Sequence, residues 1–107
     1  MIEKTKLIDG EMHIVVVGSI YVEDATDIRE TFMYLINKGH TMFVVDLSQV
    51  DYIDSTGLGM LVFVRRQVVQ KGGSLKLEGL HGLVKELFEM THLDKQFQLQ
   101  QGALFTQ

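Results

Sequence analysis

The chain has 107 residues, 46% of them hydrophobic and 22% charged, which is the size and composition of one globular domain with one core. A net charge of −4 without any Lys/Arg run argues against nucleic acid or an anionic membrane as the main partner and leaves a protein surface as the natural one. With no cysteine, disulfides, thiolate catalysis and Cys-based zinc sites are excluded.

Met1 to Lys6 leads into no signal-type hydrophobic region, and no apolar run approaches the ~18 residues of a membrane helix, so the expected compartment is the cytosol. There is no internal repeat, linker or low-complexity stretch, and a single domain over 1–107 is expected. Proline is absent, which leaves the turns to glycine and polar residues.

A first strand is expected around Lys4 to Ile8, with Asp9-Gly10 as a hairpin turn into Ile14-Val15-Val16-Val17. The unbroken β-branched run predicts a strand covered on both faces, and Gly18 ends it. Asp24 is placed to cap a helix reaching about Lys38, with Asp27 near its positive end. Ile28, Phe32, Leu35 and Ile36 share one face of that helix, and Gly39 stops it. Met42 to Leu47 reads as a second buried strand.

A second helix follows from Ser55, with Leu58, Leu61, Val62, Val68 and Val69 as its apolar arc and Gly72-Gly73 closing it. Phe63 falls off that arc, among Arg66, Gln67 and Gln70, either exposed or covered by the third helix or the tail. Ser74 to Glu78 alternates as a half-covered strand. His81 to Met90 gives a third helix burying Leu83, Val84, Leu87 and Phe88, and the tail beyond Leu93 adds a short strand or helix.

This alternation implies an α/β fold with right-handed parallel crossovers, a mixed and mainly parallel sheet with an antiparallel N-terminal hairpin, and helices packed against it. In such sheets functional groups gather at the carboxyl ends of the strands, which brings Asp24 and Ser55 to one rim.

The chemistry at that rim is carried by Asp51-Tyr52-Ile53-Asp54-Ser55-Thr56-Gly57-Leu58-Gly59. A nucleophile elbow needs Gly two residues before the serine, where Ile53 stands, and a phosphate-binding loop needs a Lys far nearer than Lys71. A small hydrolase is therefore remote. His13, His40, His81 and His92 have no metal-ligand spacing, so no metal is assigned. Asp51 and Asp54 serve turn and capping needs more naturally than paired acid–base work, and Ser55 or Thr56 could cap the helix. Gly57 and Gly59 weigh against a cap alone. Each costs roughly 1 kcal/mol against Ala in a first helical turn, so both are expected to keep the surface beside Ser55 low for an approaching partner.

Val44 through Gly59 resembles the signature of STAS domains of the bacterial anti-sigma factor antagonist family. The likeness continues through Gly18 to Ala25, Gly72 to Leu77 and Val84 to Leu93; Tyr21-Val22-Glu23 departs from the small, polar approach usual there. The resemblance implies a non-enzymatic switch without a cofactor, in pathways of the stress-response or sporulation kind. The unphosphorylated form binds an anti-sigma factor serine kinase of histidine-kinase-like ATPase fold and frees the sigma factor. Phosphorylation ends the binding, and a metal-dependent serine phosphatase restores it. The family's phosphoacceptor maps onto Ser55, with Thr56 as the adjacent non-acceptor and Asp24 as the acidic residue of kinase contact. Asp54, Ser55, Thr56, Gly57, Gly59 and Asp24 form the expected partner surface. The alternative is a non-switching STAS scaffold subunit of a stress-sensing or transporter complex.

Overall fold

The structure, a computed structural model, describes residues 1–100, with side chains to Phe97. Its elements are β1 (Ile2–Ile8), β2 (Glu11–Val17), α1 (Val22–Asn37), β3 (Met42–Gln49), α2 (Ser55–Gln70), β4 (Ser74–Glu78), α3 (Gly82–Met90), a 3-10 turn (Leu93–Lys95) and β5 (Gln98–Gln100). The tail thus contributes both a helical turn and a strand, and its last part lies outside the described residues.

The sheet has five strands in the order β1-β2-β3-β4-β5; β1 runs antiparallel to β2, and every other pairing is parallel. The hairpin turn is where the sequence places it. Asp9 and Gly10 have φ of 50° and 83°, the two positive values of a type I′ turn, whose twist matches that of the strands. The two long helices end in Schellman motifs. His40 N–H donates to Leu35 C=O and Gly39 N–H to Ile36 C=O after α1, while Gly73 N–H donates to Val68 C=O and Gly72 N–H to Val69 C=O after α2. Gly39 and Gly72 adopt φ of 102° and 80°, which side-chain-bearing residues resist. Gly73 is required for another reason, since a Cβ there would collide with the Thr41 carbonyl.

The core lies on one face of the sheet. Met12, Ile14 and Val16 of β2, Phe43, Val45 and Leu47 of β3, and Leu75 and Leu77 of β4 meet Ile28, Phe32 and Ile36 of α1, Met60, Leu61, Val64 and Val68 of α2, and Val84 and Phe88 of α3. This overturns the expectation that β2 is covered on both faces: its residues alternate between buried and half-buried, because all three helices pack on the same side. On the opposite face, Val44 is the one fully buried residue among those described. The Lys76 ammonium reaches from β4 to the Glu11 carboxylate on β2 at 3.0 Å, crossing β3 on Val44's face. The helix arcs also need two corrections. Val69 and Leu83 are 46% and 48% exposed, whereas Met60 and Val64 are buried in the positions the arc of α2 omitted.

Candidate functional site at the strand–helix rim

The two loops at the carboxyl ends of β2 and β3 are stitched together outside the sheet. Ile20 and Ile53 form an isolated parallel bridge, with Ile20 N–H donating to Tyr52 C=O at 2.9 Å and Asp54 N–H to Ile20 C=O at 3.1 Å. Both isoleucines are buried beneath the rim. Above them the rings of Tyr21 and Tyr52 lie 5.5 Å apart, inclined at 41°. The starts of α1 and α2 are thereby fixed side by side, which is the shared rim the topology predicts.

Asp54, rather than Ser55 or Thr56, is the N-cap of α2. Its backbone is extended, with φ −93° and ψ −178°, and its Oδ1 accepts the Gly57 N–H at 3.0 Å. The same oxygen accepts the Thr56 hydroxyl at 2.5 Å. The Thr56 hydroxyl and then the Gly57 N–H hold the Asp54 carboxyl below its ordinary value, so it is ionised at neutral pH. Ser55, the first residue of α2, is exposed, and its hydroxyl makes no hydrogen bond among the described residues. Of two adjacent hydroxyls one is tied into the cap and the other points free.

The glycines divide. Gly57 is buried, and a Cβ there would lie 2.5 Å from Ile53 Cγ1 and 2.9 Å from Ile20 Cγ2, so it is glycine because the bridge lies directly under the helix. Surface clearance therefore falls to Gly59 alone, which is exposed with open space around its Cβ position. Asp51 is exposed at the start of the same loop.

Asp24 requires a correction as well. Helix α1 begins at Val22 with Tyr21 as its N-cap, and Asp24, in the first turn, reaches back to accept the Tyr21 N–H at 3.0 Å. It completes the cap from inside the helix, as the acidic member of a capping box does. It is half-buried in a cleft of about 210 Å³ with Met1, Ile2, Asp27 and Thr31, on the β1 side of α1. Thr56 and Gly59 line a different cleft of about 260 Å³ between α1 and α2, with Val22, Thr26, Arg29 and Phe63. Asp24 and Ser55 thus share the rim without sharing a cleft.

Phe63 is 36% exposed, with the Arg29 guanidinium of α1 6.0 Å from its ring centre, so its neighbour in the cleft is α1. Beyond Arg29 and Phe63 the cleft opens into a second hollow with Met33, Tyr34 and Asn37. Sequence reasoning missed Arg29 as a groove residue and Tyr21–Tyr52 as a pair. The signal for the loop bridge was present in Ile20 and Ile53, two large apolar residues in stretches otherwise read as turns. Among the described residues, no three His, Asp or Glu side chains are grouped to hold a metal ion, and no helix is long and apolar enough to cross a membrane.

The chain that carries this rim, with its mainly parallel five-stranded sheet, is similar to known proteins in sequence and in fold. The STAS domain family matches residues 3–103, and the chain belongs to that family. Within it the chain is of the anti-sigma factor antagonist type. It is 36% identical over 85 residues to the anti-sigma-B factor antagonist of Bacillus subtilis, covering 79% of this chain and 77% of that one. The fold is similar to an anti-sigma factor antagonist from Mycobacterium paratuberculosis, with TM-score 0.83, 22% identity, and 94% and 86% of the two chains covered. It is also similar to the phosphorylated form of the Bacillus cell fate determinant SpoIIAA, with TM-score 0.73, 16% identity, and 96% and 92% covered.

Proposed function

We propose that this protein is a phosphorylation-switched antagonist of an anti-sigma factor that is itself a serine kinase. Unphosphorylated, it binds the kinase through the rim of Asp24, Asp54, Ser55, Thr56 and Gly59, with Gly57 supporting the rim from beneath, and so frees the sigma factor. Phosphorylation of Ser55 ends the binding, and a metal-dependent serine phosphatase restores it. The protein is not an enzyme, holds no cofactor, and acts in the cytoplasm on protein partners rather than on nucleic acid or membrane.

The observation that carries this reading is the inequality of the two hydroxyls. Thr56 donates to Asp54 Oδ1 and is committed to the cap, while Ser55 is exposed and unengaged among the described residues. A kinase can reach the second without dismantling the helix start.

The switch needs no rearrangement. A phosphate adds a charge of about −1.5 to −2, which the N-terminal end of α2 tolerates while the Asp54 carboxylate opposes it. At a partner interface, one added unit charge ~6 Å from a like charge costs on the order of 3 kcal/mol at an effective dielectric of 20, more than a hundredfold in affinity. Local repulsion is therefore large enough by itself.

The test is incubation with the cognate kinase and ATP followed by mass spectrometry, with phosphate expected on Ser55. Ser55→Ala is expected to bind the kinase persistently and Ser55→Asp to bind weakly. Modification of Thr56 alone, or of neither residue, refutes the assignment. Stable assembly with a partner that is indifferent to both Ser55 variants marks a scaffold instead.

A further inference from the structure

The three α-helices lie on one face of the sheet, and among the described residues the other face is bare of helices. Its side chains are ordered by the strand registers. Lys4, Val15, Asp46 and Glu78 stand in one row across β1 to β4, and Lys6, His13, Val44 and Lys76 stand in the next. The first row begins with a cation and ends with two anions directly opposite each other, an arrangement unfavourable in an isolated sheet. Neither anion has a Lys or Arg partner within ion-pair distance among the described residues: the Lys76 ammonium is taken by Glu11 at 3.0 Å, His13 stands 3.9 Å from that same carboxylate, and Asp46 Oδ1 accepts only the Ser48 N–H at 2.8 Å. Burial first, and the Asp46 carboxylate next, raise the Glu78 carboxyl above its ordinary value, with His13 acting in the opposite direction.

A two-fold axis running along the strands, midway between β2 and β3, reverses this row against itself. Lys4 of one copy then faces Glu78 of the other, beside Asp46, and Val15 faces Asp46; the same contacts recur at the far side, as an isologous interface requires. The second row brings Lys6 towards Lys76, whose ammonium is already held by Glu11, and His13 over the buried Val44.

We propose that this helix-free face is the interface of a two-fold dimer of the chain, closed by reciprocal pairs between Lys4 and Glu78. The inference does not depend on the reading of the Ser55 rim. That rim lies at the ends of the strands rather than on this face, so it stays open in the dimer. Four strands by five residues is on the order of 300 Å² in plan, the size of a weak, reversible interface.

Sedimentation equilibrium of the full chain, taken to ~1 mM at low salt, is the test, since weak self-association falls in the micromolar to millimolar range. A reversible monomer–dimer equilibrium is expected. Lys4→Glu and Glu78→Lys are each expected to weaken it about tenfold, and the two together to restore it, because only the double variant re-pairs the charges. The chain lacks cysteine, so Lys6→Cys, on the same face in the next row, gives a single spin-label position that leaves the Lys4–Glu78 pairs intact. In mixed samples that label should broaden the Glu78 amide of an unlabelled, isotope-enriched copy. A monomer at ~1 mM overturns the proposal, as does a dimer that the single reversals leave unchanged, the double reversal fails to recover, or the label at position 6 leaves sharp at Glu78.

Discussion

Gly57 rests directly on Ile53: a Cβ at position 57 would stand 2.5 Å from Ile53 Cγ1, inside contact distance with the residue that bridges the two rim loops. Gly57→Ala is therefore expected to destabilise the domain by about 1–3 kcal/mol, the usual cost of overpacking. Gly59→Ala meets open space and is expected to be neutral or to gain up to roughly 1 kcal/mol in stability while weakening kinase binding. Denaturant unfolding of both variants checks the pair. Equal stability losses would remove the distinction between an inner and an outer glycine.

The cap of α2 carries a pH dependence whose sign is fixed. Asp54 has a folded-state value below its ordinary 3.8, so its contribution to stability is present above that value and is lost as pH falls through the lower, folded value. Thr56→Val removes the largest cause of the depression. The carboxyl should move back up, and the stability difference between variant and parent should be full near neutral pH and vanish in acid. Carboxyl chemical-shift titration of Asp54 reads this directly, and an unmoved titration would take the Thr56 hydroxyl out of the cap. Kinase-dependent labelling of Ser55 should survive the substitution.

Asp24→Asn separates capping from recognition. An asparagine oxygen can still accept the Tyr21 N–H, so the thermal midpoint should shift by less than the ~1 kcal/mol that loss of a cap costs. Phosphorylation rate and kinase affinity should fall, because the carboxylate charge on the β1 side of α1 is gone. Unchanged affinity would leave Asp24 as a purely structural residue.

Phe63 lies in the groove that begins at Thr56, and its ring meets the Arg29 guanidinium rather than the core. Phe63→Ser should lose about 0.5–1 kcal/mol of stability, the worth of an exposed cation–π contact, and should weaken kinase binding by much more. A large fall in melting temperature with unaltered affinity would assign the residue to packing.

How far the sequence could be read depended on whether the deciding interaction was local. Asp9-Gly10, Gly39 and Gly72 each set a backbone conformation by themselves, and their turns and helix ends fall where the residues indicate. The strand Ser74–Glu78 alternates in burial as its residues alternate in polarity. Failures arose where a distant segment decided. The apolar continuity of Ile14 to Val17 in β2 could not reveal that helices would occupy only one face, because that depends on where α1, α2 and α3 cross. Gly57 reads as surface clearance until Ile20, from another loop, is seen beneath it. Asp24 looks like a cap because it is acidic and precedes a helical pattern, yet Val22 and Glu23 are already helical and Tyr21 holds the cap position. At the site, Ser55 and its neighbours were legible as a motif, but the different engagement of the two hydroxyls was not.

Strand order in the sheet repeats strand order in the chain, from the N-terminal hairpin to β5. No strand has to be inserted between two that have already paired. The sheet can grow by accretion at one edge as polypeptide emerges from the ribosome, each new strand finding the previous one as its template, and every closure spans a short stretch of chain. With no proline anywhere in the sequence, no prolyl isomerisation interrupts that assembly. The architecture that presents Ser55 is also one that a nascent chain can complete without waiting for its C-terminus to return to the beginning.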